Sequence, residues 1–200
     1  MFITFEGIEG SGKTTLLQGI ASRLRASKQN LLVTREPGGT AAGNAIRKVF
    51  LEAGLRIDPL TEAFLVNASR AQLVSEEIDP ALSAGRLVLC DRYVDSTLAY
   101  QGYGRGMDLA ILRDLCGAAT GGLNPDLTFL VDIDVTTSRA RVTSRANTVD
   151  RVEAADLDFH ERVRAGFLSL AQAEPNRIVV LDGERTREQL VDDAVARLGR

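Results

Sequence analysis

Residues 7–14 read Gly-Ile-Glu-Gly-Ser-Gly-Lys-Thr, the pattern G-x-x-x-x-G-K-[ST], and this stretch constrains the chain more than any other. It follows a β-branched apolar run, Phe2–Phe5, and precedes a helical stripe carried by Leu16, Leu17, Ile20, Ala21 and Leu24. A strand entering a Gly-rich loop that opens a helix turns backbone N–H groups inward and adds the partial positive charge of the helix N-terminus. Such a loop binds the phosphates of a nucleoside triphosphate. Gly7, Ile8, Glu9, Gly10, Ser11, Gly12, Lys13, Thr14 and Thr15 are its candidate ATP-binding residues, with Lys13 reaching the β- and γ-phosphates and Thr14 offering a hydroxyl to Mg²⁺.

Four further apolar runs, Leu31–Thr34, Leu87–Cys90, Leu127–Val131 and Ile178–Leu181, are apolar on both faces, as central parallel strands require. Helical patterns separate them. Phe159, Val163, Phe167 and Leu170 form one stripe, and Leu190, Val191, Ala194, Val195 and Leu198 another. A long helical stretch over 61–83 carries Pro80 late in its course, where a kink or break is expected. Alternating strands and helices predict an α/β fold, a P-loop NTPase-type doubly wound sheet of about five parallel strands flanked by helices. The 200 residues show no repeat or linker and read as one domain over 1–200 with a short lid near 141–153. Ligands in such sheets gather beyond the carboxyl ends of the strands, which selects 6–14, 35–39, 91–93, 132–134 and 182–183.

A net charge of −3 argues against a general nucleic-acid or membrane surface, so phosphate binding must come from local cations. Only Lys13, Lys28 and Lys48 are lysines among 24 cationic residues, so a lysine inside the loop points to a need for a slim point charge. The two cysteines form neither a metal-spaced cluster nor a disulfide framework. No apolar stretch is long enough to span a membrane, and a cytoplasmic protein is expected. His160, the only histidine, lies in a polar stretch of helix and reads as surface. At the end of the third run, Asp91 can hold Mg²⁺ opposite Thr14, and Arg92 can clamp a second phosphate bidentately.

Three more segments complete a set: Thr34-Arg35-Glu36-Pro37-Gly38-Gly39-Thr40, Ser69-Arg70-Ala71-Gln72 and Tyr100-Gln101-Gly102-Tyr103-Gly104-Arg105-Gly106. With Phe5–Gly10 and Asp91-Arg92-Tyr93, they occur in the order found in bacterial thymidylate kinases, and from Phe2 to about Glu153 the chain resembles that family. The resemblance implies phosphate transfer from ATP to dTMP with Mg²⁺, and a homodimer. It also implies that Glu9 holds the deoxyribose 3′-hydroxyl, Arg35 and Arg92 grip the dTMP phosphate, Arg70 reads the thymine carbonyl, Thr97 and Gln101 line the base edge, and Tyr100 closes the space beside C2′. Asp150-Arg151-Val152-Glu153 matches the family's lid. Because the loop has Gly10 where some relatives carry a basic residue, catalytic arginines are expected from the lid, with Arg145 and Arg151 the candidates. One of Arg139 and Arg141 is expected beside adenine, which Asp182-Gly183 can border.

One position departs from the pattern. Val66 stands where the family places a thymine-stacking Phe, and Phe64 lies on a different helical face. That keeps other pyrimidine monophosphates, or a nucleoside, open as acceptors beside dTMP. A nucleotide switch without an acceptor is the reading from another class, and it leaves the second set of arginines unexplained.

Overall fold

The computed structural model describes residues 1–145 and 150–198, with Arg145 described in its backbone alone. Five parallel strands form one sheet in the order β2-β3-β1-β4-β5: β1 (Phe2–Glu6), β2 (Leu31–Arg35), β3 (Leu87–Asp91), β4 (Leu127–Asp132) and β5 (Ile178–Asp182). Each predicted run became a strand within about one residue, because a chain apolar on both faces is stable only between two layers of helix. The β1 strand is buried at every position. Helix α1 (Lys13–Ala26) and helix α9 (Arg187–Leu198) cover one face, where Leu16, Leu17 and Ile20 meet Leu190, Val191 and Ala194.

The predicted helical stretch over 61–83 is three pieces. Helix α3 (Pro59–Leu73) starts on an Asp58 cap, passes through a wide π-type turn at Val74–Ile78 and continues as α4 (Asp79–Ser83). The Asp79 N–H bonds back to Val74 O, so the ladder is already re-spaced when Pro80, which cannot donate, arrives. The chain is displaced by this turn and not broken. Helix α2 (Ala41–Leu51), capped by Thr40, packs along α3.

A second π-type segment, Leu98–Gly104, follows the four-residue α5 (Val94–Thr97) and packs against α8 (Leu157–Ala173). Helix α6 (Leu109–Thr120) and helix α7 (Val135–Arg145) complete the elements the site uses. The register places Phe5 beside Asp91 on the central strands β1 and β3. Their carboxyl ends therefore deliver Gly7–Thr14 and Asp91–Tyr93 side by side, as the rule for ligands in doubly wound sheets anticipates.

Candidate active site

The Gly-rich loop is shaped by contacts that admit no side chain. Gly7 and Gly10 have φ of 138° and 72°, and a Cβ on Gly10 would lie 2.7 Å from the Ser138 carbonyl oxygen on α7. The loop therefore has no room for a basic residue at position 10 while α7 stays in place. Ser138 Oγ donates to Glu9 O at 2.6 Å, and Arg141 Nη1 donates to Gly183 O at 3.1 Å, which ties α7 to the loop and to the end of β5. Lys13 is 8% exposed and donates to Ile8 O at 3.3 Å. Burial, and then the repulsion of Arg92, bring its ammonium down to about 8.

Thr14 Oγ1 donates to Asp91 Oδ2 at 2.5 Å, while the buried Asp91 Oδ1 has no partner among the described residues. A hydroxyl and a carboxylate in contact, with one buried oxygen left over, suit a hard divalent cation that takes its remaining ligands from water and phosphates. No group of three or more His, Cys, Asp or Glu side chains suited to a metal occurs among the described residues.

Beside the loop opens a cavity of about 310 Å³. Its lining includes Glu9, Lys13, Arg35, Val66, Arg70, Asp91, Arg92, Thr97, Tyr100 and Gln101, which were singled out from sequence. It also includes Arg47, Phe50 and Leu51, which were not. Arg92 lies in the left-handed backbone region, with φ of 74°. Its Nη2 donates to Glu9 Oε1 at 2.8 Å and to the Tyr100 hydroxyl at 3.2 Å, and its Nη1 to Ser96 Oγ at 3.0 Å. The Tyr100 hydroxyl donates to the same Glu9 oxygen at 2.6 Å. Burial pushes the Glu9 carboxyl up, but the pull of Arg92 and then Lys13 prevails and its pKa is lowered. Glu9 Oε2 is buried with no hydrogen-bond partner among the described residues.

His160, expected at the surface, is instead 8% exposed and places Nδ1 3.7 Å from that Glu9 oxygen. The polar sequence around it hid this, because α8 turns the His160 face toward the loop and away from water. Arg47 donates to Pro37 O at 2.9 Å, and burial, then Arg35 and Arg92, lower its pKa. Three arginines whose charges oppose one another across an open cavity make an anion site. Arg47 carried no motif to announce it, being one cation in an ordinary helix.

Arg70 is 1% exposed and all five of its N–H groups point at protein acceptors. Its Nε donates to Glu36 Oε2 at 2.8 Å, Nη1 to Asn67 Oδ1 and Cys116 Sγ, and Nη2 to Tyr93 O and Thr97 Oγ1. A base carbonyl reaching Arg70 must share one of these hydrogens. Val66 is 8% exposed and faces the cavity, whereas Phe64 is 54% exposed and does not line it.

Glu62, unmarked by any motif, is 1% exposed and gathers three donors. Gln101 Nε2 donates to it at 3.1 Å, Arg105 Nη2 at 3.0 Å, and Arg151 Nη1 also binds it. Arg151 further donates from Nε to Phe50 O at 3.0 Å, and its buried Nη2 has no partner among the described residues. The lid end is therefore fastened to α2 and α3, and Arg151 is not directed at the Gly-rich loop. The Arg145 side chain, the other lid candidate, lies outside the described residues.

The comparisons agree with one another. The thymidylate kinase family model matches residues 5–194. Thymidylate kinase of Deinococcus radiodurans is 53% identical over 190 residues, covering 95% of this chain and 92% of that protein. That of Thermomicrobium roseum is 52% identical over 191 residues, covering 96% and 90%. The crystal structure of thymidylate kinase from Ehrlichia chaffeensis superposes with a TM-score of 0.82 at 34% identity, over 100% of this chain and 98% of that one. With five ordered motifs brought to one cavity at the carboxyl end of the sheet, the chain belongs to the thymidylate kinase family.

Proposed function

We propose that the chain phosphorylates dTMP to dTDP, with ATP as donor and Mg²⁺ as the cation. The observation that carries this reading is a second anion site, Arg35, Arg47 and Arg92, opening directly off the Gly-rich loop. A nucleotide switch has no use for it. The loop amides and Lys13 hold the donor phosphates, and Thr14 and Asp91 hold the cation, which supplies charge neutralisation when bound. Glu9 faces the acceptor sugar, Arg35 and Arg92 take the acceptor phosphate, and Arg70, Thr97 and Gln101 border the base. Glu9 lines the cavity, where its carboxylate can accept a hydrogen bond from a sugar hydroxyl.

No general base is required, since a nucleoside monophosphate has a second pKa of about 6 and is largely dianionic at neutral pH. Catalysis is then positioning and electrostatics. Charge on the transferring group falls to Lys13 and to the lid arginines, Arg145 and Arg151. For Arg151 this requires leaving Glu62 and Phe50. Arg141, beside Gly183, is the arginine placed for adenine.

A panel of nucleoside monophosphates in an ADP-release assay tests the assignment. dTMP is expected to give the highest kcat/KM. Preference for dUMP or dCMP would favour a broader pyrimidine kinase, a reading supported by the small Val66 in place of an aromatic. ATP turnover indifferent to every monophosphate would return the chain to the switch class.

Two further properties belong to the same reading. The enzyme acts in the cytoplasm, where both cysteines stay reduced; Cys90 and Cys116 are buried and unpaired, and among the described residues no helix is long and apolar enough to cross a membrane. It acts as a homodimer through α2, α3 and α6, three neighbouring helices that expose Val49, Leu60, Phe64 and Ile111.

A further inference from the structure

Glu6 is the last residue of β1, wholly buried, and has no part in the chemistry described so far. Both its oxygens are used. Oε1 accepts the Tyr93 N–H at 2.7 Å, and Oε2 accepts the Ser96 hydroxyl at 2.5 Å. Ser96 Oγ in turn accepts from Arg92 Nη1 at 3.0 Å. The chain Arg92 N–H to Ser96 O–H to Glu6 carboxylate runs in one direction, with each donor matched to an acceptor.

Its other end is strained. Arg92 is one of two non-glycine residues with positive φ among those described, a conformation that costs roughly 1–3 kcal/mol and persists only where surroundings over-determine it. The Tyr93 N–H bond to Glu6 fixes the backbone just after Arg92, and the Ser96 bond fixes its guanidinium. Glu6 therefore grips both the turn and the tip of one side chain. A desolvated carboxyl is a costly way to do this. Burial, and then the nearby Asp95 carboxylate, raise its pKa, while Arg92 and the hydrogen bonds from Ser96 and the Tyr93 N–H favour the ionised form.

We propose that Glu6, acting through Ser96, is a positioning residue for the Arg92 clamp, holding the guanidinium where it meets the acceptor phosphate. The inference rests on the reading of Arg92 as a phosphate clamp. After the three contacts to Glu9, Tyr100 and Ser96, the Nε hydrogen and one Nη1 hydrogen of Arg92 have no acceptor among the described residues. Those hydrogens are aimed only as well as the guanidinium plane is held. Glu9 and Tyr100 grip one nitrogen and allow the plane to pivot, and Ser96 on the second nitrogen stops the pivot.

The test compares affinity for dTMP and for thymidine, which lacks the phosphate, by calorimetry in wild type and in Ser96→Ala, Ser96→Thr, Glu6→Gln and Arg92→Ala. The ratio of the two affinities isolates the phosphate contribution, and general damage to the fold lowers both terms together. Ser96→Ala and Glu6→Gln are expected to shrink the ratio by about tenfold, with ATP affinity unchanged, and Ser96→Thr to restore it. As links of one chain, the two substitutions combined are expected to do no more than the stronger one alone. If Glu6→Gln does not fold, Ser96→Ala decides. A wild-type ratio in Ser96→Ala, together with a collapsed ratio in Arg92→Ala, overturns the relay and keeps the clamp. An unchanged ratio in Arg92→Ala overturns the clamp itself.

Discussion

Lys13 shows how a single residue is prepared for its ligand. Without phosphate its ammonium sits in a buried place beside Arg92, leaning on Ile8 O at 3.3 Å, and its pKa is brought down to about 8. Bound phosphates add negative charge within reach of the amine and favour its charged form, so donor binding must raise that pKa. At pH 8 the free enzyme carries about half a proton on Lys13, and saturation with ATP is expected to draw in up to about half a proton per site. Calorimetric titrations in two buffers of different ionisation enthalpy measure this directly. The uptake should fade by pH 6.5, where Lys13 is already charged in the free protein. Proton release at pH 8, or uptake that persists unchanged at pH 6.5, would count against Lys13 as the titrating group. The loop motif made Lys13 legible in the sequence from the outset, because its role is set by neighbours along the chain. His160 was misread for the opposite reason. Its flanking residues are polar, and only the approach of α8 to the loop, some 150 positions away in sequence, buries it beside Glu9.

Among the elements, strands and amphipathic helices were legible because burial on two faces or one leaves a periodic trace. The two π-type turns left none: Val74–Ile78 reads as ordinary helix, and the glycines of Leu98–Gly104 weaken a helix without specifying a wide turn, so the spacing of the hydrogen bonds comes from packing. Yet the turn at Leu98–Gly104 is what sets Gln101 against α3. Glu62 is the point where α3, this turn and the lid end meet, so one carboxylate orients Gln101 and fastens Arg151. One Nε2 hydrogen of Gln101 is committed to Glu62, so a ligand is left the other Nε2 hydrogen and Oε1. Thymine carries a hydrogen on N3 and can donate to Oε1, whereas neutral cytosine has a lone pair there. Substitution Glu62→Gln lets the Gln101 amide turn over, because the new side chain can donate as well as accept. The kcat/KM ratio for dTMP over dCMP is expected to fall by about tenfold, within the 1–3 kcal/mol typical of an unsatisfied polar contact. A ratio unchanged in a variant that melts normally would show that Gln101 does not read the base through Glu62.

At the scale of the whole molecule, Phe64 has two possible employments, and geometry separates them. Its neighbour two residues on, Val66, turns into the cavity, so on a helix Phe64 must point elsewhere, and it is 54% exposed. An exposed aromatic that serves no ligand suits a contact between chains, particularly with Leu60 one turn earlier on α3 and with Val49 and Ile111 on the helices either side. A homodimer built on this face buries the back of α3, whose front carries Glu62, Val66 and Arg70. Association and the acceptor cavity would then share a helix, and loosening one should be felt by the other. The charged substitution Phe64→Glu places a carboxylate, and its twofold mate, in an apolar contact, where neither finds a partner. It is expected to shift sedimentation from dimer to monomer at micromolar concentration and to raise the KM for dTMP more than that for ATP. The same substitution should leave the melting of the isolated monomer nearly unchanged, since the side chain is half exposed already. Wild-type protein that sediments as a monomer would overturn the homodimer, a Phe64→Glu variant that stays dimeric would place the interface on another face, and either result leaves α3 to the acceptor alone.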